Sequence, residues 1–424
     1  MLSVPAILYF LALLLLAVPL ERLARRLRVP PGVFLLLLGF LSSELLVGFG
    51  IDTGIRWQNF YFAIFYLFLP ALIFHAALRI DLNMLRANLF PVLLLSLPLA
   101  LLSVAIIAAV LYYGVGSPGG FPWLAALIAG ALLAATDPAA VLSLPAAAGI
   151  PRRLRNILES ESLFNDVSSI LLFGVLILAA TAMDDLDNLA AGGFILRSFL
   201  LACGGGLCVG LAAGLLARGL LARWHDRYAF GIVTLACSYA SFLAAEELLH
   251  ASGVMAVLVA GLVLRYPGEA TLPAEVRRFG DQLWDFLSRL SHNLIFVLAG
   301  VTVTLEMFAD RWLAMLLAVA AVLAARLLCV VALLAPLCRL PAAGPVFPPR
   351  QQALLCWGGV RGVVTLALAL SLPLSLDYWY TIQSMAYGVV LFTLFAQATT
   401  IEVLVRGSAA AAARSDAAAG RSDG

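Results

Sequence analysis

Apolar segments of about twenty residues follow one another along almost the whole chain, and a helix of that length crosses a hydrocarbon core ~30 Å thick. Thirteen such windows are readable, at residues 3–20, 31–48, 58–78, 88–113, 122–148, 156–181, 195–220, 228–248, 251–265, 281–303, 312–337, 351–375 and 380–404. Only a turn near Leu249 and His250 separates the eighth from the ninth. The sixth window carries a polar run, Glu161-Ser162-Leu163-Phe164-Asn165-Asp166-Val167-Ser168-Ser169. At ~100° per residue, Glu161, Asn165 and Ser168 form one stripe and Ser162, Asp166 and Ser169 the stripe beside it. Leu163, Phe164, Val167, Ile170 and Leu171 leave the opposite face hydrocarbon. Two carboxylates, an amide and three hydroxyls are costly against lipid, so this face must look into a bundle or a water-filled cavity. It suits a small cation.

Two other windows contain a weak point. In the fifth, Ala135-Thr136-Asp137-Pro138 places a proline mid-span, which removes a backbone donor and frees the carbonyl of Ala134. In the twelfth, Trp357-Gly358-Gly359-Val360-Arg361-Gly362 sets a cation among glycines. Irregular backbone at membrane depth is tolerated only where it is buried or lines a cavity, and broken helices mark substrate sites in transporters. Asp137 lies about fifteen residues into its window, and Asp166 and Arg361 about ten into theirs. At ~1.5 Å per residue all three reach the middle third of the membrane. Spans five and twelve are seven apart and enter from opposite sides, as two inverted six-helix repeats joined by span seven require.

Composition and charge fix the class and the orientation. The 424 residues are 63% hydrophobic and only 12% charged, about half the charged share of a soluble chain. The expected fold is therefore an all-α polytopic membrane protein of about thirteen transmembrane helices, with helices 5 and 12 discontinuous. All 26 basic residues are Arg, and they are unevenly placed. Connections after odd-numbered spans hold Arg22, Arg25, Arg26, Arg28, Arg152, Arg153, Arg155, Arg277, Arg278 and others, whereas the opposite connections hold little beyond Arg56, Arg197 and Arg311. This asymmetry predicts an N-terminus outside and a C-terminus in the cytoplasm of a plasma-membrane protein. Residues 1–406 read as one transmembrane unit and 407–424 as a disordered cytoplasmic tail. The first apolar run lacks a basic leader and reads as a retained span. The six cysteines lack CxxC spacing and read as small buried hydrophobes. Gly204, Gly205, Gly206, Gly210 and Gly214 read as a helix-packing face. No phosphate loop, dinucleotide fingerprint, metal-ligand spacing or nucleic-acid patch appears.

Taken in order, Thr136-Asp137-Pro138, Glu161-Ser162-Leu163-Phe164-Asn165-Asp166, His250-Ala251-Ser252-Gly253-Val254, Asn293-Leu294-Ile295-Phe296 and Gly359-Val360-Arg361-Gly362 resemble the monovalent cation:proton antiporter-1 family, the NhaP/NHE-type sodium/proton exchangers. The resemblance runs from about the second span to the thirteenth. It implies a homodimer whose core domain moves against a dimerisation domain, exchanging Na⁺ (or Li⁺, sometimes K⁺) for H⁺, with no cofactor beyond the transported ions. It implies that Asp166 carries the cation or the proton, that Thr136, Asp137 and Ser162 help form the site, and that Glu161 pairs with Arg361. The transported Na⁺ would rest on Asp166, Ser162 and Thr136. Asn165 stands where electrogenic relatives carry a second Asp, which implies one-for-one exchange. His75 stands where the family often has Glu, and Val167 replaces a common glycine.

The residues themselves point the same way. An unpaired Glu161 at the midplane would be costly, and Arg361 at similar depth can neutralise it. Asp166 is then left without a permanent partner, so that H⁺ and Na⁺ compete for one carboxylate. Arg326, midway along span eleven, is a candidate partner for Asp137. Asn293 is a candidate site support, and His75 either packs between helices or senses pH. Glu159, near the cytoplasmic end of its helix, is solvated, Arg-paired or lines a funnel. Three other functions fit less well. A K⁺/H⁺ antiporter shares the fold. A cation channel lacks a repeated ring of carbonyls or acids, and an intramembrane aspartyl hydrolase built on Asp137 and Asp166 lacks a GxGD element.

Overall fold

Apolar stretches form long helices, some of which run through a proline or glycines, as Val4–Leu27 does through Pro19 and Asn188–Leu221 through a series of glycines. At Pro70, Pro138 and the glycines of 358–362 the helix instead widens, ends or opens. The computed structural model describes residues 4–27, 29–49, 60–115, 120–138, 142, 150, 152–182, 188–224, 226–265, 272–331 and 349–401, and among them the regular structure is entirely helical. In chain order these are α1 (Val4–Leu27), α2 (Pro31–Gly48), α3 (Phe60–Arg79), α4 (Leu89–Gly114), α5 (Trp123–Ala134), α6 (Arg152–Ala182), α7 (Asn188–Leu221), α8 (Arg227–Leu248), α9 (Gly253–Arg265), α10 (Ala274–Thr302), α11 (Leu305–Cys329), α12 (Pro349–Trp357), α13 (Val363–Leu370) and α14 (Trp379–Ile401). A short helix, Leu82–Ala87, is capped by the Asp81 side chain before α4. Among the described residues, eight helices are long and apolar enough to cross a membrane, and the apolar α5 and α9 are shorter. The chain is a multi-pass membrane protein.

Each of the thirteen windows contains helix, and the weak points fall where the sequence places them. α5 stops at Ala134, and Ala135, Thr136 and Asp137 run on without helical bonding. The glycine-rich stretch opens between α12 and α13. In α3 a π-helical turn, Ala63–Phe68, precedes Pro70. Proline clashes with the carbonyl four residues back, and one widened turn relieves that clash at Tyr66. The turn between windows eight and nine is tighter than a loop. α8 ends in a π-helical turn, Ala244–Leu248, His250 takes a left-handed conformation at φ 48°, and the Gly253 N–H is capped by Glu246 Oε2 at 2.8 Å. Ser252 caps α9 through Met255 N–H at 3.2 Å. The tail 407–424 lies outside the described residues.

The helices pack as two groups. α4, α5, α6, α11, α13 and α14 surround the two breaks, while α1, α2, α3, α7, α8, α9 and α10 form a second layer against them. Of Gly204, Gly205, Gly206, Gly210 and Gly214 in α7, four pack as their spacing suggests, with a Cβ at Gly210 or Gly214 meeting Val259 or Val263 of α9 at 2.8 Å, whereas Gly204 faces open space. At the α2–α10 crossing, a Cβ at Gly39 would run into the Val297 carbonyl and one at Gly300 into the Leu36 carbonyl. Small residues let helices approach closely where lipid supplies no hydrophobic drive between them. Large exposed leucines of α1 and α7, such as Leu15, Leu200 and Leu216, face outward.

Candidate cation site

Two unwound segments cross beside α6. The backbone N–H of Asp137, in the break after α5, donates to the carbonyl of Val360, in the break before α13, at 2.7 Å. The Asp137 carboxylate approaches the free N–H of Val363, the first residue of α13, at 3.5 Å. A helix N-terminus offers unpaired donors and a partial positive charge, so α13 favours an acid there. Gly362 makes this approach possible, because a Cβ at that position would run into Asp137 Oδ2.

The freed carbonyls of the first break are taken up one by one. Arg361 Nη1 donates to the carbonyl of Ala134 and, at 2.7 Å, to that of Ala135. Asn165 Nδ2 donates to the Ala134 carbonyl and to Thr136 Oγ1, each at 3.0 Å. The Ser162 hydroxyl donates to the Thr136 carbonyl. Ser162, Asn165, Thr136 and Arg361 are all buried. They are a frame of neutral donors and one guanidinium around the broken end of α5.

Asp166 sits one helical turn beyond Ser162 on α6. It is half-buried, and its Oδ1 is fully enclosed with no hydrogen-bond partner. Asp137 and Glu161 act on it repulsively, and the Thr136 main-chain N–H and Arg361 attractively. An enclosed carboxylate oxygen without a donor is costly, and such an atom in a native fold calls for a proton, an ion or a water. The sequence placed Asp166, Asp137, Thr136, Ser162 and Asn165 in one cluster, and the structure brings all five together.

The ion pairing differs from expectation. Glu161 is bridged by Arg326 of α11, with Nη1 to Oε1 at 2.9 Å and Nη2 to Oε2 at 3.4 Å, and Arg326 Nε donates to the Leu355 carbonyl at 3.0 Å. Arg361, expected on Glu161, is committed to the α5 carbonyls instead. Arg326, considered for Asp137, is committed to Glu161. Sequence yields the depth of a residue but not its bearing around the bundle, and the two arginines lie at similar depth. A two-point guanidinium–carboxylate contact also suits the buried pair.

The remaining candidates bond to groups outside the cluster or are exposed. Asn293 Nδ2 donates to Glu21 Oε1 of α1 at 2.5 Å. His75 Nε2 lies 2.8 Å from Asp285 Oδ1 of α10, which also receives Arg79 Nη1 at 3.3 Å, so His75 bridges α3 and α10. Glu159 is exposed on α6, with Arg155 and Arg79 the charges acting on it. Sequence reasoning missed Asp285 and Glu21. Asp285 was findable as one of two acids in the tenth window, one turn before Arg289, whereas nothing linked Glu21 to Asn293.

The residue pattern agrees with what the chain is similar to. The family model "Sodium/hydrogen exchanger, transmembrane" matches residues 10–407. The Na⁺/H⁺ antiporter NhaP of Pseudomonas aeruginosa is 31% identical over 397 residues, covering 90% of this chain and 92% of that one. The low-affinity Na⁺/H⁺ antiporter NhaS1 of Synechocystis is 31% identical over 344 residues, 80% of this chain. This chain spans 64% of the length of NhaS1 and 63% of that of ApNhaP from Aphanothece halophytica, less than two thirds of either. The solved structure of the sodium proton antiporter MjNhaP1 from Methanocaldococcus jannaschii superposes with a TM-score of 0.79 at 22% identity, covering 93% of this chain and 98% of that one, and so shares its fold. These relatives are transporters rather than enzymes.

Proposed function

The chain belongs to the sodium/hydrogen exchanger family, and from that premise we propose that it exchanges Na⁺ or Li⁺ for H⁺, one for one, with Asp166 as the group both ions share. The observation that carries this reading is the enclosed, unpartnered Oδ1 of Asp166 beside the broken end of α5. The Thr136 main chain acts on Asp166 and Ser162, bonded to the Thr136 carbonyl, lies one helical turn before it, so their oxygens would complete a set of hard oxygen ligands for a small cation. Asn165 and Arg361 occupy the Ala134 and Ala135 carbonyls, so they brace the break rather than bind the ion.

Charge supports the stoichiometry. With all five groups ionised, the three carboxylates Asp137, Glu161 and Asp166 against the two guanidiniums Arg326 and Arg361 leave one negative charge in the cluster. One proton or one monovalent cation neutralises it. Moving a bare charge through low dielectric is expensive, so the neutral forms cross and the empty charged form stays put. The helix group built on α4, α5, α6, α11, α13 and α14 would shift against the other as the moving body, in a homodimer of thirteen-span, inverted-repeat subunits with the N-terminus outside the plasma membrane. Binding tests the shared site before transport does. Adding Na⁺ to weakly buffered, detergent-purified protein should release a proton in the wild type and none in Asp166→Asn. Sodium binding to the wild type with no proton release would sink the reading.

A further inference from the structure

The geometry points to Thr393 of α14 as the positioning residue of the site: its hydroxyl fixes the main chain of Arg361, and Arg361 in turn holds the carbonyls of the broken α5. The inference rests on the reading of the cluster as the cation site.

A break in a buried helix leaves backbone donors and acceptors that must find partners. In the segment between α12 and α13, Gly358 N–H reaches the Leu354 carbonyl at 2.8 Å, and the Val360 carbonyl accepts from Asp137. Arg361 has neither a helical donor nor a helical acceptor among its neighbours. Thr393 supplies both from one hydroxyl: Oγ1 accepts from Arg361 N–H at 3.2 Å and donates toward the Arg361 carbonyl at 3.2 Å. Its proton is shared with the Val390 carbonyl of its own helix at 3.1 Å. Thr393 and Arg361 are each 1% exposed, so water does not substitute. α14 widens into a π-helical turn from Thr393 to Gln397, and widened turns commonly mark functional positions.

The consequence follows along the bonds. With its Cα pinned, Arg361 can place Nη1 on the Ala134 and Ala135 carbonyls. Those carbonyls precede Thr136, whose own carbonyl and hydroxyl are held by Ser162 and Asn165 beside Asp166. Thr393 touches no transported ion. It acts on the ligands through Arg361.

Thr393→Val keeps the shape and removes the hydroxyl, leaving a buried N–H and C=O unpaired at Arg361. In proteoliposomes it should raise the KM for Na⁺ about ten-fold with a smaller change in kcat, and Thr393→Ser should restore the wild-type KM. Should the valine variant not fold, Thr393→Cys, whose thiol hydrogen-bonds weakly, carries the same expectation. A wild-type KM and pH profile in the valine or cysteine variant, or a KM raised as much by Ser as by Val, overturns the proposal. Hydrogen–deuterium exchange of the peptide over residues 358–362 separates it from the antiport reading. Faster exchange there in the valine variant than in wild type or Thr393→Ser supports the placement of Arg361 even if no ion is exchanged, and equal exchange in all three overturns it.

Discussion

At the scale of residues, Asp166 stands out because its Oδ1 is a buried carboxylate oxygen without a donor, while Ser162, Asn165 and Thr136 beside it are hydrogen-bonded to one another and to the broken end of α5. Its place beside the broken end of α5 was legible in the sequence, since a carboxylate on the polar face of an apolar helix has to look into the bundle. The pairing around it was not legible. Glu161 takes Arg326, and Arg361 takes carbonyls, because bearing around a bundle depends on contacts between helices far apart in the chain. The two arginines therefore differ in what their loss leaves behind. Arg326→Ala strands the buried Glu161 and should cost ~3–5 kcal/mol of stability. Arg361→Ala removes no two-point bridge to a carboxylate; it frees the Ala135 carbonyl and weakens the attraction on Asp166, and should cost ~1–3 kcal/mol. Thermal unfolding in detergent checks the order. A larger loss in Arg361→Ala would mean that Glu161 depends on Arg361 after all.

At the scale of elements, both breaks were readable from Pro138 and from the glycines at 358, 359 and 362, because each removes a donor or a side chain that a helix needs. That they touch was not readable. The Asp137 N–H bond to Val360 and the approach of its carboxylate to α13 depend on Gly362 having no Cβ. Gly362→Ala should therefore push Asp137 off the start of α13 and cut exchange at least ten-fold by the loss of that placement. Gly174→Ala, on α6 with open space around its added methyl, should leave exchange within two-fold, as a surface change of ~0.5 kcal/mol or less. Initial rates in proteoliposomes decide, and an unaffected Gly362→Ala would show that the contact between the breaks is dispensable. The π-helical turns of α3, α8 and α14 carried no usable sequence signal, except that Pro70 explains the first.

At the scale of the whole molecule, hydropathy alone gave the all-helical membrane fold, and the glycine stripe of α7 gave one of its contacts. The sorting of helices into two groups was beyond the sequence, because it depends on which face meets which across hundreds of residues. The pairing of Asp285, though not the residue itself, belongs with this class: His75 and Arg79 lie on a helix more than two hundred residues earlier, so their meeting with it appears only in the folded chain. The central claim is that a monovalent cation and a proton share Asp166 and cross alternately without net charge. The most direct test is an internal pH dye in proteoliposomes of the purified protein, read after adding Na⁺, Li⁺ or K⁺, with and without a valinomycin clamp at constant K⁺. The account predicts a cation-dependent pH change for Na⁺ and Li⁺ that is absent in Asp166→Asn and unchanged by the clamp. Exchange that persists at the wild-type rate in Asp166→Asn, or no response to any of the three ions across a range of pH, would contradict it.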